Sequence, residues 1–97
     1  MNVISKRGLL KLAACHADVL DPLVAWFHVA RKAEWRGLND VRKDFPSADQ
    51  VGEALVFNIK GNRYRLIARV NYRRQRIFVK ELLTHVEYNR EGWIKWA

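Results

Sequence analysis

The chain has 97 residues, 49% of them hydrophobic, and its 18 Lys and Arg against 10 Asp and Glu give a formal net charge of +8. This apolar content excludes a disordered chain and predicts one globular domain over residues 1–97, with no apolar run long enough to span a bilayer. The single cysteine, Cys15, excludes an internal disulfide, and no Cys/His cluster has metal-ligand spacing. We therefore expect a cytoplasmic protein that needs no metal and no cofactor, and its basic charge indicates a polyanionic partner.

The N-terminal part is predicted to form a short strand followed by a helix. Val3 and Ile4 predict the strand. Ser5 is the expected N-cap of a helix from about Lys6 to His16, because apolar residues recur on one face of that segment.

A second helix and a short helical turn are predicted from the residues at their ends. Asp21 is the expected N-cap of the second helix, Pro22 occupies its first turn, where a missing N–H costs nothing, and Gly37 follows its end. Two apolar stripes on this helix indicate that it packs on a sheet and against another element or a partner. Asn39 is the expected cap of the short turn, which Pro46 stops.

The second half of the chain changes to an apolar–polar alternation of period two, which is typical of strands. The alternation covers residues 55–60 and 63–73, and Gly61-Asn62 between them suits a two-residue hairpin turn with positive φ. The predicted pairs are Lys60 with Arg63, Asn58 with Arg65, and Phe57 with Leu66. A third strand is expected from about Arg76 to Leu83. Together these elements predict an α+β fold in which two N-terminal helices pack on an antiparallel sheet.

The expected hairpin presents an apolar face to the helices and a basic face on its other side. The residues expected on the basic face are Asn58, Lys60, Arg63, Arg65 and Arg69. Opposed like charges destabilise a sheet, so this face is tolerated more easily where an anion binds. The interleaved Tyr and Asn residues favour RNA, because they can contact phosphates and bases. The alternative is that the cations only protect an exposed sheet from aggregation.

His85 lies downstream of the basic hairpin, in the run Thr84-His85-Val86-Glu87-Tyr88. Metal-free RNA cleavage by attack of a ribose 2′-hydroxyl needs a group that exchanges protons near neutral pH and cations that stabilise the phosphate. Histidine most naturally supplies the first. The candidate cations are Lys60, Arg65 and Arg73, with Tyr88 as a proton-transfer or stacking partner. A lone histidine is more often structural, so this hypothesis depends on whether His85 shares a face with Arg65.

Several runs of residues resemble, in order, the signature of the HigB toxins. They are Trp26, Ala33-Glu34-Trp35, Phe45-Pro46-Ser47-Ala48, Phe57-Asn58-Ile59-Lys60-Gly61-Asn62, Tyr64-Arg65-Leu66, Asn71-Tyr72-Arg73-Arg74-Gln75 and Thr84-His85-x-Glu87-Tyr88. This resemblance implies the RelE-like α+β fold, in the order β-α-α-β-β-β, and the activity of a bacterial mRNA interferase that generally cleaves mRNA at the ribosome. It also implies neutralisation by a HigA-type antitoxin with a helix-turn-helix, in a hetero-oligomer.

The resemblance further implies roles for individual residues. RNA contacts are implied at Lys60, Asn62, Arg65 and Arg73. His85 and Tyr88 fall where RelE-like proteins keep their catalytic groups. The candidate catalytic residues are therefore His85, Arg65, Tyr88 and Lys60. The candidate RNA-binding residues are Asn58, Lys60, Asn62, Arg63, Arg69, Arg73 and Arg74.

Other functions are open to the same composition. A non-catalytic RNA- or ribosome-binding module would use the same basic face. A DNA-binding regulator is disfavoured, because the basic residues lie on strands and no helix carries a basic recognition face. A polybasic membrane binder would need a basic amphipathic helix, which the sequence lacks. Trp93 and Trp96 are expected to pack on the core, the alternative being that they stack on RNA or a partner.

Overall fold

A computed structural model describes residues 1–5, 17–61 and 63–97. The helix predicted from Lys6 to His16 and the turn residue Asn62 lie outside the described residues. The described elements, in chain order, are β1 (Asn2–Ser5), a 3-10 helix (Ala17–Val19), α1 (Leu20–Lys32), α2 (Leu38–Asp44), β2 (Asp49–Val51), β3 (Ala54–Ile59), β4 (Tyr64–Asn71), β5 (Arg76–Thr84), α3 (His85–Asn89) and a C-terminal 3-10 helix (Gly92–Trp96). The predicted first and third strands are confirmed as β1 and β5.

The strands form one sheet in the order β1-β5-β4-β3-β2. Strands β2 to β5 are antiparallel neighbours, whereas β1 is parallel to β5. The α+β class is confirmed, but the expectation of a wholly antiparallel sheet is wrong, and β2 is an additional strand. The alternation could not reveal β2, because it has three residues and Asp49 and Gln50 are exposed. The direction of β1 depends on the path of the chain, which a strand pattern does not encode.

Helix α1 has different ends from those predicted. Val19 precedes its first residue and provides no side-chain cap, so Asp21 lies in the first turn rather than at the N-cap. Pro22 lies in that turn as predicted, where its missing N–H leaves no helical hydrogen bond unmade. The helix ends before Ala33, because the backbone of this residue is extended, with φ −71° and ψ 149°.

Gly37 and Asn39 belong to α2 rather than to the positions predicted for them. Gly37 is the N-cap of α2, with φ −179° and ψ −178°, and this extended backbone does not terminate α1. Asn39 lies inside α2 instead of capping it, and the helix ends before Pro46 as predicted. No helix within the described ranges is long and apolar enough to cross a membrane.

The main hydrophobic core lies between the helices and one face of the sheet. Four aromatic rings lie at its centre, those of Trp26, Trp35, Phe45 and Phe57, and they form five pairs with centroids 5.2 to 6.4 Å apart. The Trp35 indole N–H donates to the Asp44 carboxylate at 2.8 Å. Aromatic pairs at such distances contribute roughly 0.5–1.5 kcal/mol each beyond the area they bury, so this group holds α1 and α2 on β3.

A second buried cluster covers the opposite face of the sheet. Its buried members are Ala54, Val56, Ile67 and Trp93. Trp96 packs against this cluster, so the prediction that both C-terminal tryptophans pack on the core is confirmed. Strand β3 is therefore buried on both faces except at the half-buried Asn58. This arrangement corrects the expectation that the second face of the hairpin is basic throughout.

Candidate functional site

The β3–β4 hairpin has the predicted register. Phe57 pairs with Leu66, and Asn58 pairs with Arg65. Regular pairing stops one residue before Lys60, which has φ 52°, and the Arg63 N–H donates to the Lys60 carbonyl oxygen at 3.4 Å. The left-handed backbone at Lys60 ends the alternation of the strand, so its side chain does not follow that of Asn58.

Asp18, in the 3-10 helix before α1, binds the side chains of this turn. The Lys60 ammonium lies 3.0 Å from one carboxylate oxygen of Asp18, and the Tyr64 hydroxyl donates to the other at 2.8 Å. The Arg63 guanidinium lies 3.8 Å from the same carboxylate. These contacts are on the helix side of the sheet, where Tyr64 joins the main core. The prediction that Lys60 and Arg63 share a face with Arg65 is therefore wrong.

Both cations at this turn are paired with the same carboxylate, that of Asp18. Asp18 is an internal anion for the opposed cations Lys60 and Arg63, so their opposition does not by itself require RNA. The hydrogen bonds from Lys60 and Tyr64 lower the pKa of Asp18 below its ordinary value of 3.8. The hydrogen bond to Asp18, followed by burial, raises the pKa of Tyr64 above its ordinary value of 10.0.

Asp18→Asn is expected to flatten the pH dependence of the free energy of unfolding at both ends of the pH range. The lowered pKa of Asp18 contributes stability that is present above its unfolded-state pKa and is lost as the pH falls through the folded-state pKa. The raised pKa of Tyr64 contributes stability that is present below its unfolded-state pKa and is lost as the pH rises through the folded-state pKa. Urea unfolding across the pH range measures both effects. Asp21→Asn, at an exposed position in α1, is the matched control, and a profile for Asp18→Asn that coincides with wild type would contradict the role of Asp18.

Arg65 lies on the opposite face of the sheet and contacts the ring of Tyr88. Its guanidinium carbon is 5.4 Å from the centroid of that ring. The Tyr88 ring stacks on Trp93, with centroids 4.9 Å apart and an interplanar angle of 9°. The Trp93 indole N–H donates to the Tyr88 carbonyl oxygen at 2.9 Å. The stack therefore attaches α3 to the second cluster and holds a cation and a phenol together at one end of the sheet.

His85 is the first residue of α3 and is exposed. Thr84 caps the helix, since its hydroxyl accepts from the Glu87 N–H at 3.2 Å while its own N–H donates to the Glu87 carboxylate at 3.0 Å. The His85 N–H donates to the Arg63 carbonyl oxygen at 3.1 Å, which joins α3 to the hairpin turn. His85 and Tyr88 are three residues apart and are therefore neighbours on the helix surface.

The structure thus brings His85, Tyr88 and Arg65 to the same end of the sheet. A helix at this position was missed from the sequence, which was interpreted as the end of the last strand. The signal that predicts it is the Thr84-x-x-Glu87 spacing of a capping box. Asp18 was also missed, and no local pattern could have found it, because it contacts a lysine 42 positions along the chain.

The remaining basic candidates lie away from His85. Arg69 forms an ion pair with Glu53. Arg73 and Arg74 lie in the turn between β4 and β5, at the far end of β4 from Arg65. Because β4 has 8 residues, its two ends are roughly 25 Å apart at the usual rise of a strand. Arg73 and Arg74 are therefore not part of the end of the sheet that carries His85.

The end of the sheet with His85 offers an imidazole, a phenol and a guanidinium within one surface. These groups can exchange protons and stabilise a phosphate oxyanion without a metal ligand set. Across residues 1–5, 17–61 and 63–97, no group of three or more His, Cys, Asp or Glu side chains could hold a metal ion.

Several named proteins are similar to this chain over most of its length. The chain is 28% identical over 92 residues to the mRNA interferase toxin HigB of Escherichia coli K12, an alignment covering 92% of this chain and 88% of the relative. The mRNA interferase HigB of Shigella flexneri has the same identity and coverage. That of Escherichia coli O6:H1 is 27% identical over 93 residues, which cover 93% of this chain and 90% of the relative.

A family model gives the same result. Residues 20–91 match the HigB_toxin family, described as the RelE-like toxic component of a toxin-antitoxin system. The matched segment begins with α1 and includes α3, so it contains Arg65, His85 and Tyr88. The resemblance noted from the sequence motifs is confirmed. The chain belongs to the HigB toxin family, and its partner is the antitoxin of a toxin–antitoxin system.

Proposed function

We propose that the chain is a metal-independent endoribonuclease that cleaves mRNA on the ribosome, in the cytoplasm. We also propose that a HigA-type helix-turn-helix antitoxin neutralises it within a hetero-oligomer. The observation that carries the proposal is the grouping of His85, Tyr88 and Arg65 at one end of the sheet, inside the segment that matches the toxin family. The Escherichia coli and Shigella relatives are named mRNA interferases, which supports cleavage of mRNA as the activity.

In the proposed reaction the RNA strand attacks itself. The ribose 2′-hydroxyl loses its proton to a base, its oxygen bonds to phosphorus, and the bond to the 5′-oxygen breaks as that oxygen gains a proton. His85 exchanges one of these protons. Arg65 donates hydrogen bonds to the phosphate oxygens, where negative charge accumulates. The Tyr88 ring contacts the Arg65 guanidinium and so fixes its position. Tyr88 is also the candidate for the second proton transfer.

The proposal keeps the other RNA contacts predicted from the sequence. They are Asn58, Lys60, Asn62, Arg63, Arg69, Arg73 and Arg74. A phosphate that binds Lys60 has to compete with Asp18, whose carboxylate is 3.0 Å away. A phosphate at Arg69 has to compete with Glu53 in the same way. Arg63, which is 3.8 Å from the Asp18 carboxylate, is in the same position as Lys60. Three of the proposed contacts would therefore exchange a carboxylate of the protein for a phosphate of the RNA.

Incubation of the purified protein with mRNA, free and on translating ribosomes, tests the proposal. Ribosomes need Mg²⁺ to stay assembled, so the toxin is stripped of bound metal with EDTA and freed of the chelator before it is added. We expect the stripped and the untreated protein to fragment mRNA at the same rate, and no fragments once a HigA-type antitoxin is added. Loss of fragmentation in the stripped protein that an added transition metal restores would overturn the metal-independent mechanism. Binding of RNA without any fragmentation would instead identify a non-catalytic RNA- or ribosome-binding module.

Arg65→Ala is expected to weaken RNA binding and to reduce the slope of log affinity against log salt by about 0.7, because one fewer phosphate contact releases fewer counterions. Fluorescence anisotropy with a 2′-O-methyl RNA, which has no 2′-hydroxyl to attack, measures the slope without cleavage. Arg31→Ala, at an exposed position on α1, removes the same charge from the helix side and is expected to keep the wild-type slope. If Arg65→Ala also kept that slope, Arg65 would not contact a phosphate.

A further inference from the structure

The C-terminal residues cross the sheet face that carries Arg65. Trp93 covers Ile67 within the second cluster. Trp96 donates its indole N–H to the Glu81 carboxylate on β5 at 2.8 Å. At the opposite side, Gly52 in the β2–β3 turn has φ +58°, and a Cβ there would lie 2.8 Å from the Ala97 carbonyl carbon. The segment from Trp93 to Ala97 therefore separates the end with His85 from the rest of this face.

Beyond that segment the sheet face opens into a groove of about 670 Å³. The polar, charged and aromatic side chains that matter for binding are Gln50, Glu53, Arg69, Arg73, Phe78 and Lys80. Sites for small ligands are commonly about 300–1,000 Å³, so the groove is large enough for a nucleotide. Its three cations outnumber its one carboxylate, that of Glu53, which is ion-paired with Arg69.

The groove combines an aromatic face with a cation. The Lys80 ammonium lies 5.5 Å from the centroid of the Phe78 ring and 5.0 Å from that of the Trp96 ring. Phe78 is half-buried, so part of its ring remains accessible. Proteins that bind single-stranded nucleic acid use this combination, stacking a base on the ring while cations bind the backbone. The Gln50 amide nitrogen donates to the Gly52 carbonyl oxygen at 3.1 Å, so its second N–H and its oxygen are the groups for the edge of a base.

We infer that this groove is a second RNA subsite, which binds a base and its adjoining phosphates a few nucleotides from the point of cleavage. The inference rests on the proposed function, because it assigns the groove to the same substrate strand. Arg69 lies four residues after Arg65 on β4, which corresponds to roughly 13 Å along the strand. A single RNA strand that passes over the C-terminal segment reaches both sites. An acidic protein segment would also use the cations, but the accessible ring beside them favours RNA, because every base has a flat face that can stack on it.

Two substitutions in β5 test the subsite through its charge and its ring separately. Lys80→Met removes the charge but keeps an apolar stem against Trp96, and it is expected to reduce the salt slope of RNA binding by about 0.7. Phe78→Ala removes the stacking face and is expected to weaken binding about fivefold to hundredfold with little change in the slope. The probe is a 2′-O-methyl oligouridylate long enough to span both sites, measured by fluorescence anisotropy. Arg73→Gln repeats the charge test in the β4–β5 turn without altering β5.

Lys43→Met, at an exposed position on α2, is the matched control and is expected to bind as wild type does. Affinities and slopes for Lys80→Met and Arg73→Gln that equal those of the control would overturn the inference. Weaker binding of the antitoxin with unchanged affinity for the oligouridylate would also overturn it and would assign the groove to the antitoxin. The binding measurement does not need cleavage. If the wild-type protein failed to cleave mRNA, the proposed function would be wrong. The binding measurements would still show whether the groove binds RNA.

Discussion

Replacing His85 by alanine is expected to lower the rate of RNA cleavage by about 10²- to 10⁴-fold, the usual contribution of a positioned acid or base. The fold is expected to persist, because the imidazole is exposed and α3 is capped by Thr84 and Glu87 rather than by His85. RNA affinity is expected to stay near that of wild type, since Arg65 keeps its position over the Tyr88 ring. Single-turnover cleavage and RNA binding, measured separately, distinguish the two effects.

His28→Ala is the matched control, because His28 is also exposed but lies on α1, on the other side of the sheet. It is expected to cleave RNA and to inhibit growth as wild type does. If His85→Ala cleaved RNA at the wild-type rate, the proton would be moved by another group and the catalytic assignment would be wrong. If His85→Ala lost RNA binding together with cleavage, its role would lie in binding the substrate instead.

Trp93→Ala is expected to lower the free energy of unfolding by about 3–5 kcal/mol, the usual cost of removing a large aromatic side chain from a core. Trp93 is 4% exposed and is a fully packed member of the second cluster, whereas Trp96 from the same 3-10 helix is only partly buried against it. Its ring also supports that of Tyr88, and its indole N–H bonds the Tyr88 carbonyl oxygen. The substitution therefore leaves a cavity over Ile67 and removes the support beneath Arg65. Denaturant unfolding measures the loss.

Two further variants test whether the decrease in the free energy of unfolding comes from the buried ring of Trp93. Ile94→Ala, next to Trp93 but 44% exposed, is expected to change the free energy of unfolding by no more than about 0.5 kcal/mol. Trp93→Phe keeps an aromatic ring against Tyr88 and is expected to lose less than Trp93→Ala. A loss in Trp93→Ala as small as that in Ile94→Ala would mean that the second cluster contributes little to stability.

The β3–β4 hairpin shows which structural features the residue pattern predicts and which it does not. The pairing of Phe57 with Leu66 follows from the alternation together with the Gly61-Asn62 turn, because the turn fixes which residues of the two strands face each other. Lys60 was assigned to the face of Asn58 by extending the same alternation. Its left-handed backbone ends the strand, and its ammonium binds Asp18 instead. Period-two reasoning holds only while the backbone stays extended.

The candidate site was predictable in part. Arg65, His85 and Tyr88 were singled out from residue type, position and family motifs, and the structure brings them to one end of the sheet. Arg73 is predicted to join them, as a cation and from the family resemblance, yet β4 carries it to the far end of the sheet. Residues of a hairpin that are close in sequence can lie a strand's length apart.

The amino-acid sequence by itself determined the α+β class, the hairpin register, the basic character of the chain and the family to which it belongs. These properties follow from local periodicity, composition and motifs, each of which involves residues near one another in the chain. The tertiary structure alone decided that Asp18 binds Lys60, that β1 runs parallel to β5, and that the C-terminal tryptophans cover the second face of the sheet. It also placed His85 at the same end of the sheet as the stack of Arg65 on Tyr88. Each of these features joins residues from separate elements, and such contacts depend on how the elements pack rather than on any repeat within one of them.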